Sequence, residues 1–154
     1  MPAWGIEAGM SSLLELLGLF VVALGAASLL PMQSEPVLVA LLLLGEQPAW
    51  LLVLVASAGN TLGSVVNWLL GRQLVRWQDR RWFPVKPAAL DRASGWYRRW
   101  GHWSLLLSWA PIIGDPLTLA AGVLREPFGR FLLLVAIAKT GRYVVLALVT
   151  LGFT

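Results

Sequence analysis

Two short stretches decide how this chain folds: "PMQSEP", Pro31 to Pro36, and "PIIGDP", Pro111 to Pro116. Each sets a carboxylate between prolines within apolar surroundings where a membrane helix would otherwise run on. Proline lacks the amide hydrogen and collides with the carbonyl one turn back, a cost of about 3 kcal/mol in a helix interior, so neither run reads as one continuous helix. Both stretches follow one pattern, Pro-x-x-[SG]-[ED]-Pro, 80 residues apart, which points to a unit built twice.

The surroundings of these turns are membrane-like. Of the 154 residues 58% are hydrophobic and 13% charged, with mean hydropathy +0.73, against about 25% charged residues in a soluble domain. This composition is that of an all-α integral membrane protein. There is no cysteine and a single histidine, His102, which excludes disulfides, thiol catalysis and thiolate or multi-histidine metal sites. No cofactor and no metal are expected. The net charge of +4 does not mark a nucleic-acid surface, because eight of the twelve basic residues lie between Arg72 and Arg99 and so belong to one loop. No Lys or Arg precedes Arg72, so a basic signal-peptide n-region is missing and the first apolar segment is read as retained.

Working outward from the first turn, Met10 to Leu30 has the ~20 residues that cross a hydrocarbon core of ~30 Å. The sequence leaves open whether it spans fully or forms one arm of a hairpin. After Pro36 only Val37 to Leu44 precede the turn-like "GEQP", about 12 Å of helix and less than half a bilayer. Trp50 to Leu70 reads as a full span ending at Gly71, with Gly59, Gly63 and Ser64 suited to close packing and Asn60 and Asn67 as polar interruptions. Arg72 to His102 interleaves arginine with Trp and Tyr, the pattern of a segment at headgroup level. Trp103 to Ala110 and Leu117 to Leu124 are again half-length pieces, and Phe128 to Phe153 spans. The chain is thus one membrane domain, 1–154: repeat one over 10–71, an amphipathic linker over 72–102 and repeat two over 103–154.

Charge sets the orientation. The basic linker belongs in the cytoplasm and the acidic "GEQP" turn outside, which leaves both termini outside. The two broken segments then enter as re-entrant helical hairpins from opposite faces, each followed by a spanning helix. This is an inverted-topology repeat, the plan of secondary transporters whose sites lie near the midplane.

Four ionisable residues fall inside apolar segments: Glu35, Asp115, Lys139 and Arg142. At roughly 2.5 to 3.5 kcal/mol for a charge at the bilayer centre, they call for pairing or for function. Lys139 and Arg142 are three apart and share a helix face. The functional reading is a substrate-binding and coupling site in which two cations hold a phosphate and two carboxylates take up protons or release the cations when the phosphate leaves. The structural alternative is a neutral network that ties the halves together. Pro31, Pro36, Pro111, Gly114 and Pro116 form the hairpin turns. Asn60 joins the candidate site because it matches Lys139 in the repeat, although interhelical hydrogen bonding is the plainer role for both Asn60 and Asn67. An intramembrane aspartyl protease is excluded: Ile112 stands where its first motif glycine would be, and Glu35 is the wrong carboxylate.

These residues carry a resemblance. "PMQSEP", "GNTLGSVVNWLLGR" (Gly59 to Arg72), "SWAPIIGDPLTLAAGVL" (Ser108 to Leu124) and "KTGRY" (Lys139 to Tyr143) resemble the DedA family of bacterial inner-membrane proteins, also called the SNARE-associated or VTT-domain family, and more closely its short YqaA-like branch. The resemblance covers roughly Leu17 to Leu151. It implies two opposed re-entrant hairpins, with Glu35 as the acid of the first. It also implies movement of polyprenyl phosphate carriers or other phospholipids between leaflets, coupled to an ion gradient. The chain departs from many longer relatives, which carry two arginines in the second hairpin; here Lys139 and Arg142 are the nearby replacements.

The expectation is a non-enzymatic flippase or transporter of an anionic lipid phosphate in the bacterial inner membrane, coupled to protons or sodium. Membrane lipid is its partner, nucleic acid is not, and a homodimer is left open. The alternative is a non-transporting membrane scaffold or subunit whose charges merely pair.

Overall fold

The computed structural model describes residues 4–27, 33–74, 86–110 and 113–154. Pro31 and Pro111, two of the expected turn residues, lie outside them. The regular structure is helical throughout, with no strand among the described residues. The α-helices of the described residues run in the order α1 (Trp4–Ala27), α2 (Glu35–Leu44), α3 (Ala49–Leu74), α4 (Pro87–Trp100), α5 (Gly114–Val123) and α6 (Phe128–Gly152), with a 3₁₀ arm, Gly101–Trp109, between α4 and α5.

Among the described residues three helices are long and apolar enough to cross a membrane: Glu7–Ala27 of α1, Ala49–Gln73 of α3 and Phe128–Gly152 of α6. Large apolar side chains such as Val21, Leu54, Leu133 and Leu148 stand exposed along them. Where the solvent is hydrocarbon, that exposure carries no penalty.

Close packing orders these helices. A Cβ on Gly63 of α3 would run into the Leu24 carbonyl and Ala27 of α1, and one on Gly59 into Phe20 and Ala23. Residue numbers therefore rise together along the contact, and α1 and α3 run in the same direction. The Asn60 amide donates to the Ala23 carbonyl at 3.1 Å, and Asn67 donates to that of Ala27 at 2.7 Å. The last residue of α1 thus lies beside the middle of α3, about 20 Å from that helix's start. Between them α2 runs back: its Leu38 and Leu42 join Leu19 of α1, Leu52 and Ala56 of α3 and Tyr143 and Ala147 of α6 in one apolar cluster.

The second half packs comparably. The 3₁₀ arm lies on α6, and α5 lies on α3, where a Cβ on Gly122 would overlap the Trp68 carbonyl. Each long helix therefore carries the first arm of its own half, α1 on α3 and the 3₁₀ arm on α6. It also carries the second arm of the other half, α5 on α3 and α2 on α6.

Three local expectations are refined. Helix α3 continues to Leu74 instead of ending at Gly71, which is a packing position against Leu119 and Gly122 of α5. The piece expected over Trp103 to Ala110 winds as 3₁₀ over nine residues; at ~2.0 Å per residue it reaches ~18 Å, slightly more than a ten-residue α-helix at ~15 Å. Within the linker, α4 buries Leu90, Ala93 and Tyr97 against the bundle, with Leu90 and Ala93 meeting Leu117, Leu119 and Ala120 of α5.

Candidate functional site

The site is assembled on one side of α6, where Lys139, Arg142 and Tyr143 stand at i, i+3 and i+4 and so project together. Two short helices end against them. Helix α2 begins at Glu35 and α5 has Asp115 in its first turn, where a carboxylate interacts favourably with the positive end of the helix dipole. Pro36 and Pro116 follow within that turn, where the missing amide hydrogen breaks no intrahelical bond.

The Arg142 guanidinium donates to Glu35 Oε1. The Lys139 ammonium lies 3.9 Å from Asp115 Oδ1. Lys139 is 3% exposed, whereas Glu35 and Asp115 each keep 28% of the side chain accessible and Arg142 keeps 20%. Lys139 also lies within electrostatic reach of Arg142 and Glu35, so the four charges form one cluster. Two acids and two bases cancel, which removes most of the penalty of holding charge at depth.

Neutral hydrogen bonds hold the frame. Ser34, immediately before α2, shares a 2.6 Å bond with the hydroxyl of Tyr143, and both residues are fully buried. On the opposite side Asn67 donates to Thr118 Oγ1 at 3.2 Å, and Thr118 donates to the Asp115 carbonyl at 2.8 Å. The first turn of α2 is thereby tied to α6, and that of α5 to α3. Gly114, buried at the start of α5, sits where a Cβ would meet the Ser108 carbonyl of the 3₁₀ arm.

Of the candidates, the structure brings Glu35, Arg142, Asp115 and Lys139 together. It places Asn60 on the seam between α3 and α1, with one amide oxygen buried and unpartnered. Ser34, Tyr143, Asn67 and Thr118 were not singled out as site residues from the sequence. A signal for Tyr143 existed, since it lies four residues after Lys139 on the same face; Ser34 has the same place in "PMQSEP" as Gly114 in "PIIGDP".

A second polar cluster lies at the other end of α5. Tyr97 of α4 donates to Glu126 Oε2, Trp68 of α3 donates to the Glu126 carbonyl at 3.1 Å, and Arg130 lies 3.9 Å from the carboxylate. Burial pushes the Glu126 carboxyl above its ordinary value of 4.5, against the opposing pull of Arg130. This residue joins α3, α4 and α6, and nothing in the sequence pattern marked it.

The VTT domain model matches residues 30–151. The inner membrane protein YqaA of Escherichia coli is 42% identical over 141 residues, covering 92% of this chain and 94% of the relative. An uncharacterized protein of Haemophilus influenzae is 34% identical over 142 residues, covering 88% and 87%. No solved structure matches. With its three candidate spans, this chain is a multi-pass inner-membrane protein that belongs to the VTT-domain (DedA, SNARE-associated) family.

Proposed function

We propose that this protein moves a lipid phosphate, a polyprenyl phosphate or an anionic phospholipid, between the leaflets of the inner membrane, and that it is a carrier and not an enzyme. The observation that carries the reading is the arrangement of Glu35, Asp115, Lys139 and Arg142. Both cations stand on one helix, and each carboxylate comes from the first turn of a different short helix. A phosphate that displaces the carboxylates gains a bidentate guanidinium and an ammonium point charge. The freed carboxylates then take up protons or sodium, and their return to the cations expels the phosphate. Coupling to an ion gradient follows from that exchange.

The packing supports an inverted-topology repeat as the frame. The arms α1 and α2 and the arms formed by the 3₁₀ helix and α5 are two re-entrant hairpins, each followed by a spanning helix, and each second arm lies on the other half's span. A frame of that kind alternates access by rocking one hairpin against the other around a fixed midplane site. The basic linker lies in the cytoplasm and both termini lie outside. A second reading, a membrane scaffold, is favoured by one feature: the four charges neutralise one another in pairs.

The test is leaflet exchange of a fluorescent polyprenyl phosphate and of a neutral-headgroup control in proteoliposomes. Exchange selective for the phosphate, and lost in Asp115→Asn and in Arg142→Gln, is the expected result. No exchange of any phospholipid under a proton or a sodium gradient would favour the scaffold.

A further inference from the structure

Asn67, on the buried side of α3 two turns past Asn60, gives its two amide hydrogens to two different halves of the chain. One goes to the carbonyl of Ala27, the last described residue of α1, at 2.7 Å; the other goes to Thr118 Oγ1 of α5 at 3.2 Å. Thr118 in turn donates to the Asp115 carbonyl at 2.8 Å. An unbroken chain of hydrogen bonds thus runs from the end of α1 to the residue whose carboxylate faces Lys139, and both side chains that carry it, Asn67 and Thr118, are fully buried.

The sequence explains the first of these bonds. In a helix running on past Ala27, that carbonyl would take the amide hydrogen of residue 31, four positions later; residue 31 is proline and carries none. Where water is absent a backbone carbonyl must find its donor within the protein, and Asn67 supplies it. The second bond has no such local reason. The Asn67 amide oxygen is buried with no partner among the described residues, a cost that an apolar side chain would avoid; the position is polar for the sake of its two donors. Asn60 marks the difference. Its amide donates to the Ala23 carbonyl, for which residue 27, an alanine, has an amide hydrogen of its own, and its bond stays within the α1–α3 seam.

We propose that Asn67 is the joint between the two halves: it holds the end of α1 and the start of α5 in one register and, through Thr118, positions Asp115 opposite Lys139. It is a positioning residue, since what it bonds is the frame and not the four charges. The Lys139 ammonium lies 3.9 Å from Asp115 Oδ1, beyond hydrogen-bond reach, so the strength of that pair follows the placement of the first turn of α5. A shift of the α1 end is thereby passed to Asp115 and alters its hold on Lys139. The inference rests on the transport reading for its purpose, the concerted movement of the two broken segments, but its main test does not use transport.

The experiment measures how far Lys139→Gln restores the Tm lost in Asp115→Asn, by thermal unfolding of the full chain in one detergent, with the relay intact and with it cut. In Asn67→Leu the restoration is expected to fall to about half or less, because the two charges no longer stand in a fixed relation. Thr118→Val cuts the relay without touching α1 and is expected to do the same. Thr118→Ser keeps the hydroxyl and is expected to retain the restoration, a rescue that a role in packing alone does not give. Asn60→Leu removes a bond of the same α1–α3 seam; it is expected to lower the Tm and leave the restoration unchanged. Where Asn67→Leu does not fold, the two Thr118 variants carry the test. In proteoliposomes Thr118→Val is expected to lower phosphate-selective leaflet exchange about fivefold, the equivalent of one hydrogen bond, and Thr118→Ser to keep it.

Full restoration in either Asn67→Leu or Thr118→Val would overturn the proposal. So would an equal loss of restoration in Asn60→Leu, which would reduce Asn67 to one more bond of the seam. A restoration that falls in Thr118→Val and returns in Thr118→Ser, in a protein that exchanges no lipid, would uphold the joint and remove the transport reading. Phosphate-selective exchange that survives Thr118→Val, with the restoration unchanged, would do the reverse.

Discussion

Arg142 of α6 donates to Glu35, the first residue of α2, across 107 positions of sequence. The neighbouring pair, Asp115 with Lys139, ties the first turn of α5 to the same helix. Helix α6 is therefore the common counter-charge for both short arms, and the predictions below start from that asymmetry.

Lys139 is the most deeply buried of the four charges. Removing its partner with Asp115→Asn leaves an ammonium uncompensated in a low-dielectric site and is expected to destabilise the protein by about 3 kcal/mol. The double variant Asp115→Asn with Lys139→Gln is expected to regain most of that loss. Thermal unfolding of the single and double variants in one detergent measures the coupling, and additive losses would show that the pair does not interact.

The bond between Ser34 and Tyr143 is buried at both ends. Tyr143→Phe keeps the ring packing and strands the Ser34 hydroxyl, with an expected loss of about 1 to 2 kcal/mol. Ser34→Ala with Tyr143→Phe removes both polar partners and is expected to be closer to the wild type. Equal stability of the wild type and both variants would mean that α2 is not held at this point.

Helices α3 and α5 touch through backbone at Gly122, where any Cβ overlaps the Trp68 carbonyl. Gly122→Ala is expected to cost about 2 kcal/mol or more, because backbone must shift to admit it. Gly129→Ala, at a position with open space, is the control. A fully stable Gly122→Ala would contradict the close α3–α5 contact.

Glu126 supplies a pH dependence with a defined sign. Its carboxyl titrates above the ordinary 4.5 because burial disfavours the charge, so the folded chain holds this proton more tightly than the unfolded one. The associated stabilisation is complete below about 4.5 and is lost as pH rises through the folded value. Glu126→Gln keeps an acceptor for Tyr97 and carries no charge. Between pH 4 and pH 8 the wild type is expected to lose stability relative to Glu126→Gln, read as a widening gap in Tm; a constant gap would contradict the assignment.

Much of the frame was legible from two features. Prolines flanking Glu35 and Asp115 marked where helices start again, and apolar length marked α3 and α6. Pairing was less legible. Four charges in apolar segments called for partners, but the sequence did not say that Glu35 takes Arg142, because α2 lies on the long helix of the opposite half, and so it left both cations open to Asp115. Asn60 was weighed as a site residue from its repeat position, yet its amide closes the α1–α3 seam; a polar side chain on a membrane helix serves packing as readily as binding. Glu126 escaped notice because its burial depends on Tyr97 and Trp68, brought there by α4 and α3, and no local pattern records that. The 3₁₀ winding of Gly101–Trp109 likewise left no signature in an apolar run of that length.

The central claim is that the paired charges serve a lipid phosphate and not merely the fold. The most direct measurement is phosphate-selective leaflet exchange by the double variant Glu35→Gln with Arg142→Gln, in which the pair is removed as a unit and no charge is left stranded. The account predicts a Tm within a few degrees of the wild type and at least a tenfold loss of exchange. Exchange at the wild-type rate in that folded double variant would contradict it and make the ion pair a structural joint.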